Sequence, residues 1–200
     1  MSSTEIAGTD TRTRILRATL DLLESGQTAK LRMADIARAA GVSRQALYLH
    51  FANRTELLAD ATRYQDDALG TPRRLAPSRA AATGTERLDA FVAAWTAYVP
   101  EIYPAARALL ALYDSDPEAA AAWDERMADM REGCEAAVQA LARDGMLAPG
   151  FTEAAAADML WALLSVRNWE LLVKRRGWSQ KTYEATLLAS ARKLFVGGAF

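Results

Sequence analysis

Residue types that carry chemistry are scarce in this chain. Its 200 residues include one cysteine, Cys134, and one histidine, His50. A single thiol can close no intramolecular disulfide, and a reducing cytoplasm is its natural setting. A single imidazole excludes a histidine-based metal cluster. The sequence shows no nucleophile–base pair, no glycine-rich phosphate loop and no metal cluster, so it predicts no enzyme, no cofactor and no metal. No apolar run is long enough to span a bilayer, so no membrane partner is expected. Residues 1–10 have neither the basic start nor the apolar core of a signal peptide, and they read as a disordered tail.

What the chain does have is helical pattern. Basic and acidic residues nearly balance, 24 against 25, for a net charge of −1. Alanine-rich stretches with few β-branched runs point to an all-α protein. Thr11–Gly26 places Ile15, Ala18, Thr19, Leu22 and Leu23 on one face. Arg54 to about Leu69 reads as another helix, with Leu57, Leu58 and Ala61 inward. Two prolines and two glycines make 70–84 a predicted loop or linker. Leu88, Phe91, Val92, Trp95, Val99 and Ile102 then form a stripe that Pro100 and Pro104 should end or kink, leaving Ala105–Tyr113 as a shorter segment. Asp114-Ser-Asp-Pro117 opens a helix towards Gly145. One helix is predicted from Thr152 to about Arg175, and a last one starts at Ser179.

The most informative stretch is 33–54. Met33, Ile36, Ala37 and Ala40 give one apolar helical face, and Gly41 can close the helix in the left-handed conformation. Ser43 can then cap a second short helix, with Ala46 and Leu47 turned inward and Arg44, Gln45, Tyr48 and Leu49 on the exposed side. Between Lys30 and Arg54 stand five basic residues and one acid, a local excess of four in a chain of net −1. A surface for nucleic acid needs only such a local excess, because phosphate neutralisation supplies much of the affinity.

The string Leu31–Leu58, with Asp-Ile-Ala, Ala-Gly-Val-Ser at the turn, Leu-Tyr-x-His-Phe at the end of the second helix and a basic residue three positions after the Phe, resembles the DNA-binding signature of the TetR (tetracycline-repressor) family. Thr11–Gly26 resembles that family's first helix. The resemblance implies an all-α chain: an N-terminal three-helix DNA-binding domain with a helix-turn-helix at 11–58, and a larger helical effector-binding and dimerisation domain at 59–200, whose residues 59–69 form a connecting helix. It makes Arg44 and Gln45 the base readers, with chemistry that suits guanine and adenine edges, and lets Ala46 touch a thymine methyl. Tyr48, His50 and Arg54 fall where the family holds phosphates, and the helix start near Asn53 could add its amides. Ser43 and Leu49 complete the predicted DNA-contacting set. Arg32 departs from the pattern: the family often has Thr or Ser there, and Arg32 cannot cap α-helix amides as they do, though it could reach a phosphate.

The resemblance further implies that the last two helices pair with a second copy in a four-helix bundle, for which Leu160, Leu164, Leu187 and Leu194 are the candidates. Two recognition helices about 34 Å apart would then read a palindromic DNA operator. Trp95, Tyr98, Tyr103, Met127, Met130, Cys134 and Trp161 are the candidate pocket for an apolar or aromatic effector, each of them also suited to plain core packing. Arg167, on an apolar stripe, could anchor an acidic ligand or pair with Asp158 or Glu170. The reading is a cytoplasmic, bacterial, homodimeric repressor released by a small molecule. A helical ligand carrier, or an interaction module whose helix-turn-helix is only structural, remains the alternative.

Overall fold

The computed structural model describes residues 3–28 and 31–198. Lys30, part of the basic excess, lies outside the described residues, as do Met1 and Ser2 of the expected tail. Helices dominate, and no strand occurs among the described residues beyond an isolated antiparallel bridge between Leu147 and Val196. The chain divides into two compact units: Met1–Leu69 with Ile102–Arg126, and Gly70–Glu101 with Met127–Phe200.

The first unit opens with α1 (Ser3–Glu24), α2 (Met33–Ala39), α3 (Arg44–His50) and α4 (Arg54–Ala68). α1 begins inside the ten residues predicted to be a tail. Ile15, Leu23, Ile36, Leu47, Phe51, Leu57 and Leu58 are buried together as the apolar faces of the four helices. α4 is bound to α1 by polar contacts as well: Arg12 pairs with Asp60 at 2.5 Å and Arg17 Nε donates to the Tyr64 hydroxyl at 2.8 Å. A boundary after Leu58, as the sequence suggested, would cut through these contacts; the first unit keeps all of α4.

The second unit corrects three expectations. The 70–84 linker contains two short helices, α5 (Thr71–Arg74) and α6 (Ala76–Arg79), each with its proline in the first turn, where a missing N–H costs nothing. Pro100 and Pro104 do not divide the next helix: α7 (Gly84–Leu112) is continuous, and Gly84–Glu101 belongs to this unit. Pro100 cannot donate to the Thr96 carbonyl four residues back. That carbonyl instead accepts from the Gln180 side chain at 2.8 Å, a partner that sequence periodicity does not show. α8 (Pro117–Arg143) follows. A Cβ on Gly84 would stand 2.5 Å from the Ala140 carbonyl carbon, so only glycine allows α7 to start so close to α8.

The helix predicted over 152–175 is three elements: α9 (Glu153–Leu163), α10 (Val166–Trp169) and a π-helical turn, Glu170–Arg175. The break has a side-chain cause. Trp95 Nε1 donates to the Leu164 carbonyl at 2.5 Å, the Asn168 side chain donates to the Ala162 and Leu163 carbonyls, and the Asn168 amide goes to Ser165. Those carbonyls therefore do not pass the α-helical ladder onward. α11 (Gln180–Phe195) starts at Ser179, whose hydroxyl accepts from the Thr182 amide at 3.0 Å.

Candidate nucleic-acid interface

The corner between α2 and α3 is built as its sequence requires. Gly41 sits at φ +65°, Val42 donates to the Ala37 carbonyl at 3.0 Å and Gly41 to the Arg38 carbonyl at 3.2 Å, the paired closure that a left-handed residue permits. Ser43 caps α3, its hydroxyl accepting from the Ala46 amide at 3.0 Å. Leu47 is fully buried and fixes the helix against the unit's core, with Ala46 half-buried beside it.

This anchoring turns Arg44, Gln45, Tyr48 and Leu49 outward on one face. Leu49 is 80% exposed and Tyr48 47%. His50 is half-buried, its ring tilted against Phe51 at 6.5 Å between centroids. Arg32 occupies the N-cap of α2, is exposed and makes no capping bond, in keeping with its departure from the usual Thr or Ser. A groove of about 480 Å³ runs past Arg32, Arg44, Tyr48, Asn53 and Arg54.

Arg54 is where the expected phosphate holders need correcting. Its guanidinium is not offered outward. Nε donates to Glu118 at 2.8 Å, Nη2 to Asp116, and Nη1 to the Leu31 carbonyl at 3.3 Å, and the side chain is 15% exposed. Burial pushes the Asp116 carboxyl up, but the hydrogen bonds from Arg54 and from the Ala119 and Glu118 amides outweigh it and hold the group below the usual carboxylate range. The amides near Asn53 are partly committed too: the Glu56 carboxylate accepts from the Ala52 amide at 2.8 Å, and the Asn53 side chain caps α4 by accepting from the Glu56 amide at 2.9 Å. Asp116 and Glu118 were missed as site residues. Asp114-Ser-Asp-Pro reads only as a helix start, and nothing in the spacing brings it beside a residue more than sixty positions earlier.

The model for "Bacterial regulatory proteins, tetR family" matches residues 15–61, the segment that contains this corner. In this segment the chain is similar to the DNA-binding part of TetR-family regulators. Over 62 residues it is 36% identical to the nucleoid occlusion factor SlmA of Marinomonas sp. (strain MWYL1), a match covering 31% of this chain and 32% of that one, so it spans about a third of the relative's length. Among solved structures, a TetR-family regulator from Rhodococcus sp. is similar over 93% of this chain and 98% of its own, with a TM-score of 0.74 and 21% identity. NalD of Pseudomonas aeruginosa, described as the secondary repressor of the MexAB-OprM multidrug efflux pump, aligns over 94% of this chain and 98% of its own, with a TM-score of 0.68 and 25% identity. The chain is thus similar to DNA-binding regulators, by sequence in its helix-turn-helix segment and by fold over most of its length.

The other candidate residues divide by location. Trp95, Tyr98, Met127, Met130 and Cys134 are buried in the second unit, and burial pushes the Cys134 thiol up to about 12, which makes it an inert packing group. Tyr103 is half-buried in the first unit. Trp161 is 38% exposed and donates to the Met127 carbonyl at 3.2 Å. Arg167 is exposed and pairs with Glu170 at 3.5 Å, because the break at Ser165 moves it off the apolar stripe. The predicted residues are not gathered around one described cavity. A described cavity, about 20 Å³ in the first unit, lies instead beside Gln65, Ile102, Leu109, Trp123 and the Asp66–Arg126 ion pair, with room for about one water. Of the predicted dimer contacts, Leu160, Leu164 and Leu187 are core residues of their own unit; Leu194 is exposed, as are Met159, Trp161 and Leu171 on α9 and the π-helical turn.

Proposed function

We propose that the protein is a homodimeric transcriptional repressor that holds a palindromic operator through α3 and lets go when a small apolar or aromatic effector binds. The observation that carries the reading is the outward face of α3. A seven-residue helix, unstable alone, is capped by Ser43 and pinned by Leu47 so that Arg44, Gln45, Tyr48 and Leu49 all face solvent. Arg44 is suited to guanine N7 and O6, Gln45 to adenine N6 and N7, and Leu49 and Ala46 to thymine methyl groups. Tyr48, His50 and Arg32 are the phosphate-side contacts. NalD's description as a repressor supports the sense of regulation.

Dimerisation supplies the second half-site reader. Met159, Trp161, Leu171 and Leu194, exposed on elements that pack together in the second unit, are the residues that a partner copy would cover. The effector would act by preferring a state whose two α3 helices no longer match the half-site spacing. The packed aromatic and sulfur side chains Trp95, Tyr98, Met127 and Met130 are what such a ligand would displace to enter the second unit.

The test is binding to duplex DNA from upstream of the protein's own gene. Arg44→Ala should cost about 1–3 kcal/mol and relax the preference at one base position. Wild-type protein that binds no DNA at low salt, or an Arg44→Ala variant with unchanged affinity and sequence preference, would refute the assignment. Sedimentation should show a dimer that Leu171→Glu weakens.

A further inference from the structure

We propose that Glu118 is an affinity-limiting residue of the DNA site, competing with the phosphate backbone for Arg54; this rests on the DNA-binding reading of α3. Three observations converge. Glu118 lines the same groove as Arg32, Arg44 and Tyr48, placing a carboxylate where phosphates would come to rest. Its side chain is 45% exposed, against 15% for the Arg54 that it holds at 2.8 Å. The other acid on Arg54, Asp116, has a structural duty: its Oδ1 also accepts from the Glu118 amide at 3.2 Å and the Ala119 amide at 3.3 Å, capping α8. The two acids therefore differ in role. Asp116 builds the helix start, while Glu118 is committed to nothing but the cation.

A phosphate reaching this groove meets Arg54 with its Nε already paired, and beside it a negative charge. Like charges brought together across an interface oppose binding, and a neutralised guanidinium releases fewer counterions from DNA. A phosphate oxygen reaches Nε only by displacing the Glu118 carboxylate to water, so in the wild-type protein Arg54 adds little to phosphate neutralisation. The effect is independent of base sequence. It lowers affinity for all duplexes and so brings operator release within the 5- to 150-fold range over which an effector typically shifts affinity.

The experiment measures anisotropy of a labelled random-sequence duplex of about 30 base pairs over a salt series, with circular dichroism confirming that each variant is folded. Glu118→Gln should bind about tenfold tighter at low salt, with the log–log salt slope steeper by about 0.9. Glu153→Gln, which removes the same charge from the second unit, should change neither. In an Arg54→Gln background the gain from Glu118→Gln should disappear, because the Nε donor that it frees is gone. A Glu118→Gln variant that matches wild type in affinity and slope overturns the inference while leaving the DNA reading standing. A gain that persists undiminished without Arg54 also overturns it, since repulsion alone would then suffice. Absence of binding by wild type and every variant at low salt overturns the DNA reading and this inference with it.

Discussion

Gln180→Ala should destabilise the second unit far more than its half-exposed position suggests. The side chain serves two buried partners: Nε2 donates to the Thr96 carbonyl at 2.8 Å and Oε1 accepts from Trp169 Nε1 at 2.9 Å. Thr96 is fully buried and Trp169 nearly so, so truncation leaves a carbonyl and an indole N–H without those bonds. At about 1–3 kcal/mol for each buried group left unpaired, the loss should be about 3 kcal/mol. The Thr96 carbonyl needs this donor because Pro100 has no N–H, which supplies an internal control. Pro100→Ala returns the helical donor, so in that background the cost of Gln180→Ala should fall by about 1–2 kcal/mol, while the share due to Trp169 remains. Urea unfolding of the four proteins of this cycle, followed by circular dichroism, gives the coupling. An equal cost of Gln180→Ala with and without Pro100 would refute the account of how a 29-residue helix carries Pro100 in its interior.

Two further outcomes follow from the first unit and the π-helical turn. Ser43→Ala removes the cap of α3 and should cost about 1 kcal/mol of stability; it should weaken duplex binding as well, and hydrogen exchange should show faster opening of the Ala46 amide, whereas unchanged exchange there would sink the capping role. Asp116 and Glu170 are both held below the usual carboxylate range: burial raises each, but Arg54 and two amides outweigh it at Asp116, and Arg175 and Arg167 outweigh it at Glu170. Because a depressed native value stabilises above the unfolded value, this contribution is complete above pH of about 4 and is lost as pH falls through the native value. Stability should decline on acidification below that point, less steeply in Asp116→Asn and Glu170→Gln; an acid profile identical to wild type in both variants would refute the assignment.

The parts of the fold that were legible in the sequence are those where local rules decide. Gly41, Ser43 and the apolar spacing of Met33, Ile36, Ala37 and Leu47 place the α2–α3 corner residue by residue, because each cap and stripe acts within a few positions. The same holds for α4, α8 and the Ser179 start of α11. Local rules failed where a distant side chain took over a backbone group. Pro100 is a helix breaker until Gln180 supplies its missing bond, and the 152–175 stripe is one helix until Trp95 takes the Leu164 carbonyl. Leu160, Leu164 and Leu187 look like interface residues because α9 and α11 are apolar on more than one side. Which side is already covered within the unit depends on packing that periodicity does not encode.

The electrostatics of the site show the same limit in its most consequential form. The excess of positive charge between Lys30 and Arg54 suggests a strongly phosphate-binding corner, but charge counted along a sequence is not charge available on a surface. In the fold, Arg38 pairs with Asp35 at 2.8 Å and Arg54 is held by Asp116 and Glu118. Arg32 and Arg44 are exposed and form no ion pair among the described residues. On the proposed reading, Arg32 and Arg44 alone would release about two counterions per protomer, a salt slope near −2, or about −4 for a dimer on both half-sites, to which Arg38, 78% exposed beside Asp35, would add. On that reading, each cation held by an acid would reduce the sequence-independent part, and base contacts would carry a larger share of the operator affinity. On the proposed reading, discrimination between operator and bulk DNA would rest on the few side chains of α3, and the acids of α8 would sharpen it by keeping Arg54 from binding every duplex alike.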